Sequence, residues 1–263
     1  MRYLSKKNRA ILREMVSTDF KVRYQGSLLG YLWSVLKPLF LFVILYVVFT
    51  YVFKVGKSIP HYPVYLLLGI VMWNFFTEAT TVGASSVVSH GDLIRKISIP
   101  RYLVVIASSM SALINLSLSL VVVVVIALFN GLRPELSWLA VPFILLELFA
   151  LALAVAFILS AAYVKYRDIS YIWEIILQAG FYASAILFPL QLVPVQYQKW
   201  FFLNPIVQMV QDARYFGVTH DSVTFWSKIV MPYALYPFVV IAVVAGVAKV
   251  YFKKQAKFFA ENI

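Results

Sequence analysis

Long apolar runs alternate with short polar segments along the whole chain. A membrane helix needs about 20 predominantly apolar residues to cross roughly 30 Å of hydrocarbon. Runs near or above that length predict an all-α polytopic membrane protein with six transmembrane helices, at 36–53, 64–88, 102–129, 138–163, 171–189 and 229–251. We therefore expect one transmembrane domain over 1–263, with an interface segment at 1–35, the spans within 36–251 and a tail at 252–263.

The segment before the first span has its apolar residues at helical spacing. Ile11, Met15 and Val22 recur on one side of the helical wheel, and basic residues fall on the other: Lys6, Lys7, Arg9, Arg13 and Lys21. This pattern predicts an amphipathic helix lying in the membrane interface. Two interpretations stay open, a lipid-anchoring helix and a docking surface for a cytoplasmic partner.

Between the fifth and sixth predicted spans, residues 190–228 are rich in aromatics and interrupted by Pro194 and Pro205. The part from 197 to 216 is too polar to span a membrane and too apolar for a free loop. Irregular backbone at membrane depth must be covered by protein. The segment therefore predicts short membrane-associated helices that rest at the outer interface or dip into the membrane.

The composition agrees with a membrane protein. Hydrophobic residues make up 62% of the chain and charged residues 13%, whereas soluble domains carry about 25% charged residues. The absence of cysteine excludes disulfides and thiolate chemistry. The first eight residues are polar and basic with no apolar run before residue 36, so we expect the first span to act as its own anchor.

The distribution of basic residues predicts an orientation. Short loops rich in Lys and Arg stay cytoplasmic, and 17 of the 23 Lys and Arg residues fall on the side of the two termini. The other side has Lys54, Lys57, Arg133, Lys199, Arg214 and Lys228. Both termini are therefore expected in the cytoplasm of a multi-pass protein. The net charge of +12 then reflects this topology and attraction to anionic lipids, not nucleic-acid binding.

Signatures of catalysis are missing from the sequence. No GxxxxGK[ST] phosphate-binding loop occurs, so any ATP that drives this protein must be hydrolysed by another chain. His61, His90 and His220 lack metal-ligand spacing and are predicted to be solvated loop residues. We therefore expect neither an enzyme nor a metal site.

Polar residues inside predicted spans are the candidates for function. Glu78 in the second span and Glu147 in the fourth are costly in hydrocarbon and should face protein or water. Asn115 and Gln178 invite the same interpretation. Each carboxylate either hydrogen-bonds a neighbouring helix or lines or gates a pore.

Several short segments resemble one family throughout the chain. Residues 19–30 read DFKVRYQGSLLG, which includes Tyr24 and Gly30, and Trp33 and the pair Lys37–Pro38 follow. This closely resembles the segment before the first span in ABC-2 type polysaccharide export permeases. Residues 93–101, LIRKISIPR, resemble the loop between the family's second and third spans. The pairs Arg167–Asp168 and Asn204–Pro205 also match.

The resemblance implies a transport function. Members of this family are the membrane subunits of O-antigen, capsule, teichoic acid and rhamnose-polysaccharide exporters. Two copies would form one channel above two copies of a separate cytoplasmic ATPase, which would bind the ATP and Mg²⁺. The substrate would be a lipid-linked polysaccharide, commonly on undecaprenyl pyrophosphate, moved to the outer side of the bacterial inner or plasma membrane. This chain itself would hold no cofactor.

Site residues follow from that expectation. Cytoplasmic elements must transmit the work of the ATPase, because a partner shifts an equilibrium only through contacts that differ between the two states. The candidates for coupling are Arg13, Asp19, Asp92, Leu93, Ile94, Arg95 and Lys96, and those for the lipid pyrophosphate are Arg23, Lys37, Arg95 and Lys96. Two alternatives stay open: an ABC-2 permease for a drug or lipid, and a stand-alone membrane enzyme or carrier.

Overall fold

The computed structural model describes residues 6–24, 26–27, 29–96, 99–228 and 235–259. Helices joined by turns make up most of this part of the chain. They are α1 Lys6–Tyr24, α2 Trp33–Val47, α3 Tyr62–Ser89, α4 Gly91–Lys96, α5 Arg101–Phe129, α6 Ala140–Lys165, α7 Ile169–Ala183, α8 Val195–Phe201, α9 Pro205–Gly217, α10 Phe225–Lys228 and α11 Tyr236–Gln255. A π-helical turn, Val48–Val52, extends α2.

Five helical stretches among the described residues are long and apolar enough to cross a membrane. They are Trp33–Val52, Tyr62–Ser89, Arg101–Phe129, Leu136–Lys165 and Tyr236–Gln255. They coincide with the predicted spans one to four and six, which confirms the prediction of an all-α polytopic membrane protein. The start predicted for the last span lies outside the described residues, since these resume at 235.

The fifth predicted span, 171–189, is shorter than expected. Its helix α7 has 15 residues, or about 22 Å at 1.5 Å per residue. The helix ends because Ala185 takes a positive φ of 50°, a left-handed conformation that a right-handed helix cannot include. By its length α7 falls short of a bilayer's hydrocarbon, so the count of six spans stays a prediction.

Helix α3 occupies the centre of the bundle, between α5 and α6. Leu66, Ile70 and Met72 on α3 are fully buried. Small residues allow close approach: a Cβ placed on Gly83 would lie 2.6 Å from the Cβ of Ala156 on α6. Membrane helices pack through such small residues because lipid offers no hydrophobic force to bring them together.

Two ends of the bundle differ in charge. One end carries α1, α4, the turn between α6 and α7 and the last turns of α11, and exposes Arg95, Lys96, Arg167, Lys253 and Lys254. We call it the basic end. The opposite end carries α8, α9 and α10, where Phe202 and Phe225 are buried against each other with ring centroids 5.8 Å apart.

The predicted short helices between the last two spans are confirmed, but α9 does not rest on the surface. All its residues from Ile206 to Arg214 are buried, since α9 packs against α3 and α6. Two other segments are more ordered than predicted. The loop at 92–101 contains α4, and the tail expected from 252 continues α11 to Gln255 and buries Phe259 against Phe252.

Candidate functional site

A polar cavity of about 490 Å³ lies between α2, α3 and α5. Helix α3 contributes Asn74, Thr77, Glu78 and Thr81, at the three- and four-residue spacing of one helical face. The other polar or aromatic lining residues are Trp33, Ser34, Lys37, Phe75, Asn115 and Ser119. Hydroxyls, amides, a carboxylate and an ammonium thus share one cavity within helices of membrane length.

The structure brings two of the predicted in-membrane polar residues together. Asn115 on α5 donates through Nδ2 to Glu78 Oε1 at 2.6 Å. This bond ties α3 to α5, as the hydrogen-bonding interpretation of Glu78 expects, and both side chains also line the cavity. Glu78 therefore combines a contact between helices with access to a polar space.

Lys37 does not share this cavity with Arg95 or Lys96, two of the other residues predicted to bind a pyrophosphate. It is exposed at the cavity together with Trp33 and the buried Pro38. Arg95 and Lys96 are exposed on α4 and do not line this cavity. The side chain of Arg23, like that of Tyr24, lies outside the described part of the chain. Of the three described side chains, Lys37 thus lies at the cavity and Arg95 and Lys96 lie on α4.

Helix α7 exposes a polar stripe. Trp173 and Phe181 hold it against α3: Trp173 donates through Nε1 to Thr80 Oγ1 at 3.0 Å, and Phe181 packs on Trp73. Its exposed face carries Tyr171, Glu174, Gln178 and Tyr182. Gln178 was predicted as a candidate, whereas Glu174 was missed, although it lies inside the predicted span 171–189 only four residues from Gln178.

Glu147 on α6 lies beside Gln208 and Asp212 of α9. Gln208 donates through Nε2 to Asp212 Oδ2 at 2.8 Å, and Asp212 is 2% exposed. Burying two carboxylates side by side is costly unless they share protons or hydrogen bonds. Glu147 thus belongs to the contact between α6 and α9. It does not line the cavity that contains Glu78.

Arg214 joins α9 to two other elements. It was counted as a basic residue outside the membrane, and the structure instead buries it completely. Its guanidinium donates to the carbonyl oxygens of Tyr65, Ala185 and Ile186 at 3.1, 2.8 and 2.6 Å. A Cβ on Gly69 would lie 2.6 Å from its Nη2. Arg214 therefore satisfies the carbonyls of Ala185 and Ile186, which follow the end of α7, and ties them to Tyr65 near the start of α3.

The Asn204–Pro205 motif has a local structural role. Asn204 Oδ1 accepts from the backbone N–H of Ile206 at 3.0 Å and so caps α9, and Pro205 takes the first helical position. Asn204 Nδ2 also donates to Ser184 Oγ at 3.0 Å, next to the end of α7. The motif thus fixes the start of α9 against α7.

At the basic end, one side of α1 packs on protein. Met15 is 7% exposed and contacts Val104 and Ala107 on α5. Leu93 and Ile94 of α4 pack against the same cluster, whereas Asp92, Arg95 and Lys96 are exposed. The residues predicted to couple to an ATPase therefore divide into an inward apolar pair, an outward charged set that includes Arg13, and Asp19, which contacts His90.

A hydrogen bond also links α1 to the end of α3. His90 Nε2 lies 3.0 Å from Asp19 Oδ1, and Nδ1 lies 3.0 Å from the carbonyl of Ser86. Both partners are acceptors, so an imidazolium, which carries a proton on each ring nitrogen, satisfies both contacts. The bond to Asp19 raises the pKa of His90 above its usual value. The His90 side chain is thus 25% exposed and bonded to α1, where the sequence predicted a solvated loop residue.

The remaining family-like residues also lie at this end. Gly30 takes a positive φ of 49° and opens the 3-10 turn that leads into α2. Arg167 stacks over the Tyr163 ring at 5.1 Å, and Asp168 precedes α7, where a carboxylate favours the helix dipole. Gln25, Leu28, Ile97 and Ser98 lie outside the described residues. Among the described residues, no three His, Asp or Glu side chains group where they could hold a metal ion.

Comparison with known proteins identifies the family. The sequence profile described as "ABC-2 type transporter" matches residues 12–216, which is most of the chain. The match covers the helices from the middle of α1 to α9, including the polar cavity and α4.

The alignments with named relatives cover similar shares of this chain and of each relative. O-antigen export system permease proteins RfbA of Klebsiella pneumoniae and of Myxococcus xanthus are 29% identical over 205 and 204 residues. These alignments cover 78% and 77% of this chain and 78% of each relative. The polysialic acid transport protein KpsM of Escherichia coli is 22% identical over 204 residues, 74% of this chain and 76% of that protein.

Proposed function

The chain belongs to the ABC-2 type transporter family, and we propose that it is the membrane subunit of an ATP-driven polysaccharide exporter. Its substrate is a lipid-linked polysaccharide, which moves from the cytoplasmic to the outer side of the bacterial inner or plasma membrane. The observation that carries this proposal is the similarity to O-antigen export permeases over 78% of the chain. The similarity to a polysialic acid transport protein supports a glycan substrate over a drug or lipid.

Two copies of the chain enclose the conduit. A polar face of α3, with Asn74, Thr77 and Thr81, lines the cavity between α2, α3 and α5 and is partly exposed. Helix α7 exposes a second set of polar side chains, Glu174 and Gln178. Polar side chains at membrane depth face protein or water, and a two-fold partner that presents the same faces supplies both.

Energy reaches these helices from a separate ATPase, which binds the ATP and Mg²⁺, while this chain hydrolyses none. The basic end is cytoplasmic, in keeping with its excess of Lys and Arg. Helix α4 exposes Asp92, Arg95 and Lys96 for charge-assisted contacts with the ATPase. Because Leu93 and Ile94 pack against the contact of α1 with α5, a displacement of α4 moves α1 and α5 as well.

The coupling role of α4 is tested in cells that lack the chromosomal gene. We expect Arg95→Glu with Lys96→Glu to reach the membrane at normal levels, to lose the co-purifying ATPase and to abolish the surface glycan. Lys253→Glu with Lys254→Glu is the matched control, because it makes the same charge change at exposed positions of the same end. Normal surface glycan without the gene would refute the exporter, and normal ATPase binding in the α4 variant would refute this coupling site.

The two-copy arrangement has its own test. The chain has no cysteine, so a single Gln178→Cys substitution on α7 provides a unique cross-linking site. We expect a thiol-reactive linker to produce a covalent dimer in membranes, while Val243→Cys, on the exposed face of α11, stays monomeric. Cross-linking at Val243 but not at Gln178 would place the dimer interface at α11 and refute an interface at α7.

A further inference from the structure

An open groove of about 520 Å³ runs between α1 and α5 at the basic end. Helix α1 lines it with Arg9, Leu12, Arg13, Val16, Ser17 and Lys21, and α5 lines it with Met110 and Ile114. The groove is therefore cationic on one side and hydrocarbon on the other. It is separate from the polar cavity between α2, α3 and α5.

The cations of this groove are not used by the fold. Arg9, Arg13 and Lys21 are exposed, and no ion pair joins them to a carboxylate within the part of the chain that the structure describes. Of the two acidic residues on α1, Asp19 is engaged by His90, and Glu14 does not line the groove. Three positive charges thus gather around one opening.

The apolar wall lies at a depth that suits an acyl chain. Ile114 is 13 residues from the start of α5, or about 20 Å along the helix, and is 37% exposed. The contact that anchors α1 lies elsewhere, at Met15 with Val104 and Ala107. The groove beside that contact therefore offers hydrocarbon surface that α1 leaves uncovered, directly next to the cations.

We propose that this groove binds one anionic glycerophospholipid from the leaflet at the basic end. Its phosphodiester lies against Arg9 and Arg13, which are one helical turn apart on α1, where guanidinium donors form charge-assisted hydrogen bonds. One acyl chain lies along Met110 and Ile114. A bound lipid of this kind contacts both α1 and α5. It therefore stabilises the contact between these helices, against which α4 also packs. The proposal does not depend on the transported substrate.

The test uses the full-length chain in detergent micelles with added phosphatidylglycerol or phosphatidylcholine. Native mass spectrometry counts bound lipids, and thermal unfolding reports stabilisation, since a ligand of the folded state raises the unfolding midpoint. We expect phosphatidylglycerol to bind and stabilise, and phosphatidylcholine to do neither. Arg9→Gln with Arg13→Gln should weaken binding about 30-fold, from about 1 kcal/mol for each cation near a membrane surface.

Two further variants distinguish a specific lipid-binding site from non-specific electrostatic attraction of anionic lipid to α1. Lys6→Gln with Lys7→Gln removes the same charge from exposed positions of α1 outside the groove and should keep the preference for phosphatidylglycerol. Ile114→Trp fills the hydrocarbon wall without changing charge and should lose it. Equal loss in both double variants, or full binding by Ile114→Trp, would overturn the proposal. So would displacement of phosphatidylglycerol by equimolar polyprenyl pyrophosphate, which would make the groove a substrate site.

Discussion

Helices α7 and α11 both leave one face exposed, yet those faces differ in chemistry. The exposed face of α11 carries Val239, Val243, Val247 and Val250, at the spacing of one helical stripe. The exposed surface of α7 includes Ile172, Ile175 and Ile176, and beside them a stripe with Tyr171, Glu174, Gln178 and Tyr182 at the same kind of spacing. A stripe of valines is satisfied by lipid, whereas a carboxylate and an amide are costly in hydrocarbon and favour protein or water. An exposed face of the single chain can therefore face lipid, as we expect for α11, or face protein or water, as we expect for the polar stripe of α7.

The central helix α3 extends this contrast. In its most apolar window 72% of residues are buried, against 17% for α11 and 11% for α2. Yet α3 has the lowest hydropathy of the five, because it holds Asn74, Thr77, Glu78 and Thr81. Polar side chains thus concentrate in the helix that its neighbours shelter. Hydropathy marks which segments enter the membrane, and the polar residues within them mark which faces avoid lipid.

Removing the guanidinium of Arg214 should have the largest effect on the packed centre. In Arg214→Met the carbonyls of Tyr65, Ala185 and Ile186 lose their donors in a buried place, and each such loss costs about 1–3 kcal/mol. We expect the free energy of unfolding to fall by at least about 3 kcal/mol, measured by thermal unfolding in micelles. The exposed Arg133→Met serves as control, and an equal midpoint for both variants would show that the buried contacts contribute nothing.

Close packing between α3 and α6 gives the next largest effect. Gly83→Val places a branched side chain where even a Cβ lies 2.6 Å from Ala156, and overpacking of this kind costs about 1–3 kcal/mol. Gly246→Val on α11 is the matched control, because nothing lies within 4 Å of its Cβ position. Thermal unfolding of both variants checks this, and a control as damaged as Gly83→Val would mean that glycine itself matters, not the contact.

The sequence predicted most helices because apolar runs of membrane length leave few alternatives to a helix. It also singled out Glu78 and Asn115, which the structure joins by a hydrogen bond. The early end of α7 could not be predicted, since it depends on Arg214, which lies 29 residues after Ala185. The burial of α9 depends equally on its packing against α3 and α6. Glu174 is different, because a carboxylate inside the predicted span 171–189 could have been identified from the sequence as a candidate functional residue.

The contact of α1 with the end of α3 should depend on pH. The bond to Asp19 raises the pKa of His90 in the folded protein, so its stabilisation is fully present below the unfolded value, about 6.5, and is lost as the pH rises through the folded pKa. We expect hydrogen exchange in α1 to speed up with rising pH over that window beyond its intrinsic increase. In His90→Gln this extra change should vanish, and its persistence would exclude His90 as the cause.

The smallest effect on stability is expected on the polar stripe of α7, and it tests the contrast with α11 most directly. Glu174 is exposed in the single chain, so Glu174→Leu breaks no described contact, and surface changes usually stay within about 0.5 kcal/mol. Val243→Leu on α11 should be as mild. Export should separate them, because a carboxylate that faces a conduit or a second copy loses its role while a valine facing lipid does not. We expect normal membrane levels and unfolding midpoints for both variants, with reduced surface glycan for Glu174→Leu alone. Unchanged export in Glu174→Leu would mean that the stripe lies away from both the conduit and the partner copy.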